Sequence, residues 1–259
     1  MKKHLIILLI SITSHSYCQE TFSFISKINP EKTYSLQMDI SSVNETTIND
    51  KTNKSSSISR ITRVTRTEKA NKNGQFPATM NFGEVIVSGA GKEVLSPLSK
   101  TIIKGLLSED SKFNIDTIIN PKLDEQTKNA LKSVFKDLKP DIDFPKKPLK
   151  IGDSFDHKIP MNIPVNGEQI KVLLTKTYML KSVINNIAEF TVSEIISLNM
   201  ESLNITANGS GSGIVEFNIA ENHIVKDKLH FTINILIKKE NLEVIGIVNS
   251  DSEKTLRIE

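Results

Sequence analysis

Apolar and polar positions alternate with a period of two through most of the stretch from Gly167 to Glu259. In Leu229–Ile237 the residues Leu229, Phe231, Ile233, Ile235 and Ile237 fall on one side, and His230, Thr232 and Asn234 fall on the other. Successive side chains leave opposite faces of a strand, so this is the pattern of a half-buried antiparallel strand. The same reading predicts strands over Gln169–Val183, Ala188–Met200, Ile214–Ile219, His223–Ile237 and Leu242–Ile258. Asn185-Asn186 and Ala220-Glu221-Asn222 supply turns, and Gly209–Gly213 is expected to bend the chain before Ile214.

The first half carries the pattern more faintly. Residues 19–31 read as a loosely held arm, and Tyr34, Leu36, Met38 and Ile40 mark a first strand. Asn49–Ser57 has no apolar residue and predicts a mobile hairpin loop. Ile58–Thr67 returns as a strand carrying Arg60, Arg63 and Arg66, expected to be a solvated edge protected by charge. Gln75–Ser88 follows, with Pro77 at its edge or start.

In the middle the period lengthens. Ser96-Pro97 begins a predicted helix with Leu98, Ile102 and Leu106 on one face, and Phe113–Ile119 is extended. Asn120-Pro121 opens a second helix with Asp124 and Glu125 in its first turn and Lys136 and Lys139 in its last, matching the helix dipole. Leu123, Ala130, Leu131, Val134, Phe135 and Leu138 form its apolar stripe, and Pro140 stops it. Pro140–Pro148 is a stiff strap, because each proline fixes its own φ and biases its predecessor away from helix. Strands resume at Ser154–Ile163, and Pro164–Gly167 turns the chain into the long meander.

The fold class that follows is mainly β: a large curved antiparallel sheet, a half-barrel, with one or two helices on its concave face. Residues 19–259 read as one β-rich domain, made of an N-terminal half (31–120), a helix and proline strap (121–148) and a C-terminal meander (149–259).

The first eighteen residues read as a secretory signal, with Lys2 and Lys3 before the apolar run Leu5–Ile12, which is too short to span a bilayer. Ser16 and Cys18 fit the small-residue positions before a cut, so the mature chain is expected to begin at Gln19 in the periplasm or outside the cell. Lipidation of Cys18 is the lesser alternative, since His15 and Tyr17 stand where that route prefers an aliphatic and a small residue. Losing Lys2 and Lys3 takes the formal charge from +3 to +1, so the basic balance belongs largely to the signal. Cys18 is the sequence's single cysteine, and no disulfide is expected. Aromatic residues make up 5% with no tryptophan, which argues against stacking on nucleic-acid bases and against the aromatic girdles of a membrane barrel.

One segment, Phe144–Phe155, reads FPKKPLKIGDSF. It resembles a P-x-K-P-V-K-V-G-D-S-W signature of uncharacterised exported proteins of Bacteroidota. Pro145, Pro148, Gly152, Asp153, Ser154 and, further on, Gly211 match, while Phe155 replaces the tryptophan. The resemblance implies an exported protein, and the layout is similar to the curved half-barrels of periplasmic lipoprotein-carrier and lipid-binding folds. From the residues alone, Gly152-Asp153-Ser154 is turn chemistry.

Candidate chemistry is thin. His157, His223 and His230 show no ligand spacing; His157 has Asp153 and Asp156 beside it but no third ligand. Gly209–Gly213 has glycine at Gly211 where a nucleophile elbow needs serine. Gly89-Ala90-Gly91-Lys92 lacks the first glycine of a phosphate loop and has Glu93 in place of Ser or Thr. Arg60 and Arg66 share a strand face that Arg63 does not, so the three cannot converge on an anion. No catalytic constellation, metal or cofactor is therefore expected. The expected function is non-enzymatic binding of an apolar ligand such as a lipid, lined by Leu131, Val134, Phe135 and Leu138 on the helix and by Phe190, Val192, Phe217, Phe231 and Ile233 on the sheet. The alternative is a structural or protein-interaction module of the cell envelope with a filled core. Neither nucleic acid nor a membrane span after signal cleavage is expected.

Overall fold

The computed structural model describes residues 20–89, 92–109, 111–136, 142–165, 168–200, 205–239 and 242–259. The signal segment, Leu138, Pro140 and the turn expected at Asn166-Gly167 lie outside the described residues. Long alternating segments have become long strands. In chain order they are β1 (Thr21–Phe22), β2 (Thr33–Ile48), β3 (Lys51–Thr67), β4 (Phe76–Gly89), β5 (Lys92–Leu95), β6 (Ile102–Leu107) and β7 (Phe113–Ile119). The helix α1 (Glu125–Lys136) follows, then β8 (Leu149–Lys150), β9 (Ser154–Val165), β10 (Glu168–Ile184), β11 (Ile187–Met200), β12 (Ile205–Asn218), β13 (His223–Lys239) and β14 (Leu242–Ile258).

Twelve strands form one antiparallel sheet in the order β7-β6-β4-β3-β2-β14-β13-β12-β11-β10-β9, with β5 added on β4. β7 and β9 end the sheet, so it is open and curved, with the helix on one face. The last strand pairs with the first long one, Leu256 opposite Leu36, which joins the meander to the N-terminal strands. Turn residues act as their chemistry requires. Asn185 and Asn186 both take positive φ between β10 and β11, and Asn222 does so before β13.

Several expectations are corrected. Asn49–Ser57 is not a loop: only Asn49 and Asp50 turn, both at positive φ, and β2 and β3 pair out to Ile48 opposite Lys51. Serine and threonine pair across strands without an apolar core, as in the Ser42–Ser250 hydrogen bond of 2.9 Å. β3 is an interior strand between β2 and β4, not an edge. The helix predicted from Ser96 is a single turn: the Leu98 N–H does donate to Ser96 Oγ, but Lys100 at φ 61° ends the turn. Ile102–Leu107 then pairs with β4 and β7, and these long-range ladders override the local 3.6 period. Gly209–Gly213 does not bend the chain but lies inside the continuous strand β12. α1 begins at Glu125 with Asp124 as its cap; Asn120 instead is buried and donates to the Pro97 carbonyl and Thr101 Oγ1.

The N-terminal arm is also built in. β1 pairs with β8, just after the strap, and Phe24 is buried against Phe144, Phe190 and Phe217 at ring separations of 5.2, 5.2 and 5.9 Å. Arm, strap and helix all lie on the same face of the sheet, called here the covered face. Its register rows run, for example, through Phe190, Val215 and Leu180 on one flank, Leu36 and Leu256 at the centre, and Met80 and Ile103 on the other flank. Apolar clusters among the described residues lie there: a phenylalanine-rich one under arm and strap, a small central one of Tyr34, Leu36 and Leu256, one beneath α1, and an outer one around Val172 and Ile196.

Candidate functional site

The covered face is not filled from flank to flank. Between the central cluster and the one beneath α1 lies a cavity of about 280 Å³. Leu36 and Met38 of β2, Leu256 of β14, Met80 of β4, Leu107 of β6 and Phe113 of β7 supply its apolar walls. Alternation is what brings them together, since each is the inward-facing residue of its strand.

The arm stands over one end. Ile28 lines the cavity, and its N–H donates to the Glu109 carbonyl at 3.0 Å while the Lys27 N–H donates to the Asn222 carbonyl at 3.1 Å. The arm thus ties loops from both flanks of the sheet. Tyr34 belongs to this corner. Its hydroxyl accepts from the Asn29 N–H at 2.7 Å and donates to the Asn29 carbonyl at 3.1 Å, and burial pushes its pKa up. The His223 ring meets the Tyr34 ring edge-on at 5.5 Å.

Beside Tyr34, further polar groups share the wall: Thr65 and Arg63 of β3, Lys254 of β14, His223 of β13 and Ser111 before β7. Arg63 faces the cavity because it sits opposite Leu36, whereas Arg60 is on the other face, paired with Asp39 at 3.7 Å and Glu93 at 3.5 Å. The arginines of β3 therefore split between faces as their spacing requires. Thr65 is 5% exposed, and its hydroxyl has no hydrogen-bond partner among the described residues. Asp227 stands directly opposite Lys254 on β13.

A second polar row crosses the covered face further out, where His157, Lys176 and Glu194 are register neighbours on β9, β10 and β11. Lys176 Nζ lies 2.5 Å from Glu194, whose side chain is 7% exposed. Beyond this row come Leu174, Ile196, Ile233 and Val248, while the matching positions of β2 and β3 are Asn44 and Ser55.

The nine residues singled out from sequence are divided. Phe190, Val192 and Phe217 are packed into the cluster under the arm and strap. Phe135 and Leu131 pack under α1, with Phe135 edge-on to Phe113 at 6.3 Å. Phe231 and Ile233 stand on the outer part of the covered face, where Phe231 leans over the glycines of β12. Val134 belongs to α1, and Leu138 lies outside the described residues. The cavity wall comes instead from Arg63, Thr65, Met80, Leu107, Phe113, Lys254 and Leu256, among others. Strand alternation marked each as inward or outward; which inward residues border a gap is a matter of tertiary packing.

The possible metal corner does not form. Asp153 caps its own turn by accepting the Lys150 N–H at 2.9 Å, and Asp156 accepts from Thr177 Oγ1 at 2.7 Å. Among the described residues, no three His, Cys, Asp or Glu side chains gather where a metal ion would need them. The Gly152-Asp153-Ser154 segment is a turn with Gly152 at φ 92°, docked on β10 through the Gly152 N–H and the Leu180 carbonyl at 2.7 Å.

The class defined so far is an open antiparallel sheet, covered at one end of one face and holding a cavity beneath the cover. The sequence matches no protein-family model, and no curated protein matches it. Among solved structures the chain is similar to lipovitellin, in a structure describing lipid–protein interactions in that protein, with a TM-score of 0.45 and 11% identity. The match covers 90% of this chain and 26% of that one, so this chain spans about a quarter of its length.

Proposed function

We propose that the protein is an exported, non-catalytic binding module that takes an apolar ligand between its sheet and the cover of arm, strap and helix. The observation that carries this reading is the gap of about 280 Å³ between two packed clusters, walled by Leu36, Met38, Met80, Leu107, Phe113 and Leu256. Apolar side chains close such a gap by packing unless something else fills it. Its size is near the lower bound of roughly 300–1,000 Å³ for small-molecule sites, which suits a small ligand or one part of a larger one.

The test is displacement of a neutral apolar fluorophore from the full chain, with Met38→Trp as the blocking variant. Met38 is half-buried at the cavity wall, so a larger side chain there fills the space without entering the packed clusters. Saturable binding in the parent chain and its loss in Met38→Trp support the reading; no saturable binding in the parent chain refutes it. Export is tested separately by intact mass, with a mature N-terminus at Gln19 expected and an acylated Cys18 counting against simple cleavage.

A second reading has its own observation. The cluster under the arm is filled, with Leu180, Ala188, Phe190 and Phe217 all fully buried. That part of the molecule is a structural core, and a role as an envelope interaction module follows if the fluorophore finds no site.

A further inference from the structure

Five polar side chains are buried among the described residues: Thr65, Thr67, Thr101, Asn120 and Glu194. Buried polar groups in folded proteins are met by hydrogen-bond partners, so each exception calls for a cause. Four of the five have theirs. Asn120 donates to Thr101 Oγ1 at 2.6 Å, and Glu194 is paired with Lys176. Thr67 Oγ1 accepts the Lys32 N–H at 3.0 Å and donates to the Asn29 carbonyl at 2.9 Å. Thr65 is as buried as Thr67, at 5% against 6% exposed, yet its hydroxyl has no partner among the described residues.

Position accounts for the difference. The two threonines stand two residues apart on the covered face of β3. Thr67 meets the arm, which brings Lys32 and Asn29 to it, whereas Thr65 stands opposite Tyr34 and borders the cavity. The Tyr34 hydroxyl is turned to the Asn29 backbone instead. The rest of the wall bears on the ligand's charge. Arg63, His223 and Lys254 are each engaged within the protein, and Asp227 stands beside Lys254. These groups call for no counter-ion, and a free carboxylate brought among them would lose water without meeting an unspent partner. Ser111 is only half-buried, and the remaining wall is aliphatic and aromatic.

We infer that the cavity takes a neutral, largely apolar molecule carrying one hydrogen-bonding oxygen, a hydroxyl or a carbonyl, and that Thr65 is the residue that selects it. The inference rests on the binding function proposed above and adds the class of ligand. A threonine hydroxyl donates to either kind of oxygen. It shares its Cβ with a methyl, and a change of χ1 rotamer turns one or the other toward the gap. A pure hydrocarbon would fill the space but leave the hydroxyl unmet, and a buried group without a partner is costly. One neutral oxygen on an apolar body satisfies both the hydroxyl and the walls.

The experiment is displacement of the neutral apolar fluorophore from the full chain by hexan-1-ol, hexan-2-one, hexane and hexanoate. In the parent chain both neutral oxygen ligands should displace it saturably, and hexanoate should bind no more tightly than hexan-1-ol. Thr65→Val puts a methyl in place of the hydroxyl. It should weaken hexan-1-ol and hexan-2-one about three- to tenfold and leave hexane no weaker. Thr65→Ser keeps the hydroxyl and should keep the parent chain's discrimination. Hexanoate binding more tightly than the alcohol overturns the neutral class. Equal loss of hexane and the oxygen ligands in Thr65→Val overturns the role of Thr65 and leaves the apolar-ligand reading standing. No change in any of them does the same and means that the hydroxyl is met by water alone. Displacement by none of the four removes both readings. The hexanoate comparison needs no variant, so it decides the charge class even where a substitution impairs folding.

Discussion

At the scale of single residues, the sheet's covered face carries a charge pair that its surroundings make indispensable. Glu194 is nearly buried beside Lys176, between the phenylalanine cluster and the outer apolar rows. Removing one partner strands the other's charge in low dielectric, so Lys176→Met should cost about 3–5 kcal/mol, whereas Lys176→Met with Glu194→Leu should recover most of that loss. Urea midpoints of the two variants measure the difference. The glycines of β12 make a complementary case. A Cβ at Gly211 would stand 2.5 Å from the Phe231 ring and 2.8 Å from the His230 carbonyl. Gly211→Val should therefore destabilise by about 1–3 kcal/mol through overpacking, read from the same denaturation curves. The sequence shows Gly209, Gly211 and Gly213 as a run, but only the neighbouring strands reveal that the gap they leave is taken by Ile196, Phe231 and Leu229.

At the scale of elements, α1 shows how much a local pattern fixes. Its apolar stripe is plain from the sequence, and the cap is Asp124, whose carboxylate accepts the Thr127 N–H at 2.7 Å. That hydrogen bond holds the Asp124 carboxyl below its ordinary value of 3.8. A carboxyl with a lowered folded-state pKa stabilises fully above its unfolded value and loses that contribution as the pH falls below 3.8 through the folded one. Asp124→Ala should thus lower the melting temperature at neutral pH, with the gap to the parent chain closing at acid pH. Thermal melts across that range would show it; a gap constant down to the most acid pH would contradict the cap. The failed helix at Ser96 is the converse. Its serine cap forms as the sequence indicates, yet Ile102–Leu107 has two strands waiting to pair with it, and one turn of helix offers less than two ladders.

At the scale of the whole molecule, the arm and strap hold the two flanks of the sheet under one cover. Phe24 reaches from the arm to rings of the strap and of β11 and β12. Phe24→Ala removes a buried ring from this junction and should cost about 3–5 kcal/mol, measured as a shift of the denaturant midpoint. The loss should also reach the cavity, because Ile28 of the same arm forms part of its wall. Binding of the neutral fluorophore should weaken in Phe24→Ala at denaturant concentrations where the sheet is still folded. Binding and unfolding midpoints that coincide would show instead that arm and sheet melt as one unit.

The alternation of β10, β11, β13 and β14 determined those strands almost to the residue, because each strand's faces are set by a period of two, and Asn185, Asn186 and Asn222 turn the chain by tolerating positive φ. The strands β2 and β3 were half legible: their apolar bases spoke, while the serine- and threonine-rich ends of the hairpin had no core to signal them. The candidate site was legible only as a set of inward-facing positions. Arg63 read as a solvated charge on a strand edge, and nothing in the strand patterns set Thr65 or Lys254 apart. What placed them in one wall was the pairing of β14 with β2, between residues some two hundred positions apart, and the arm that folds back over them. Side-chain period is local and is written in the chain; which rows pack shut and which leave a space depends on the strands that meet across the sheet, and only the tertiary structure decides that.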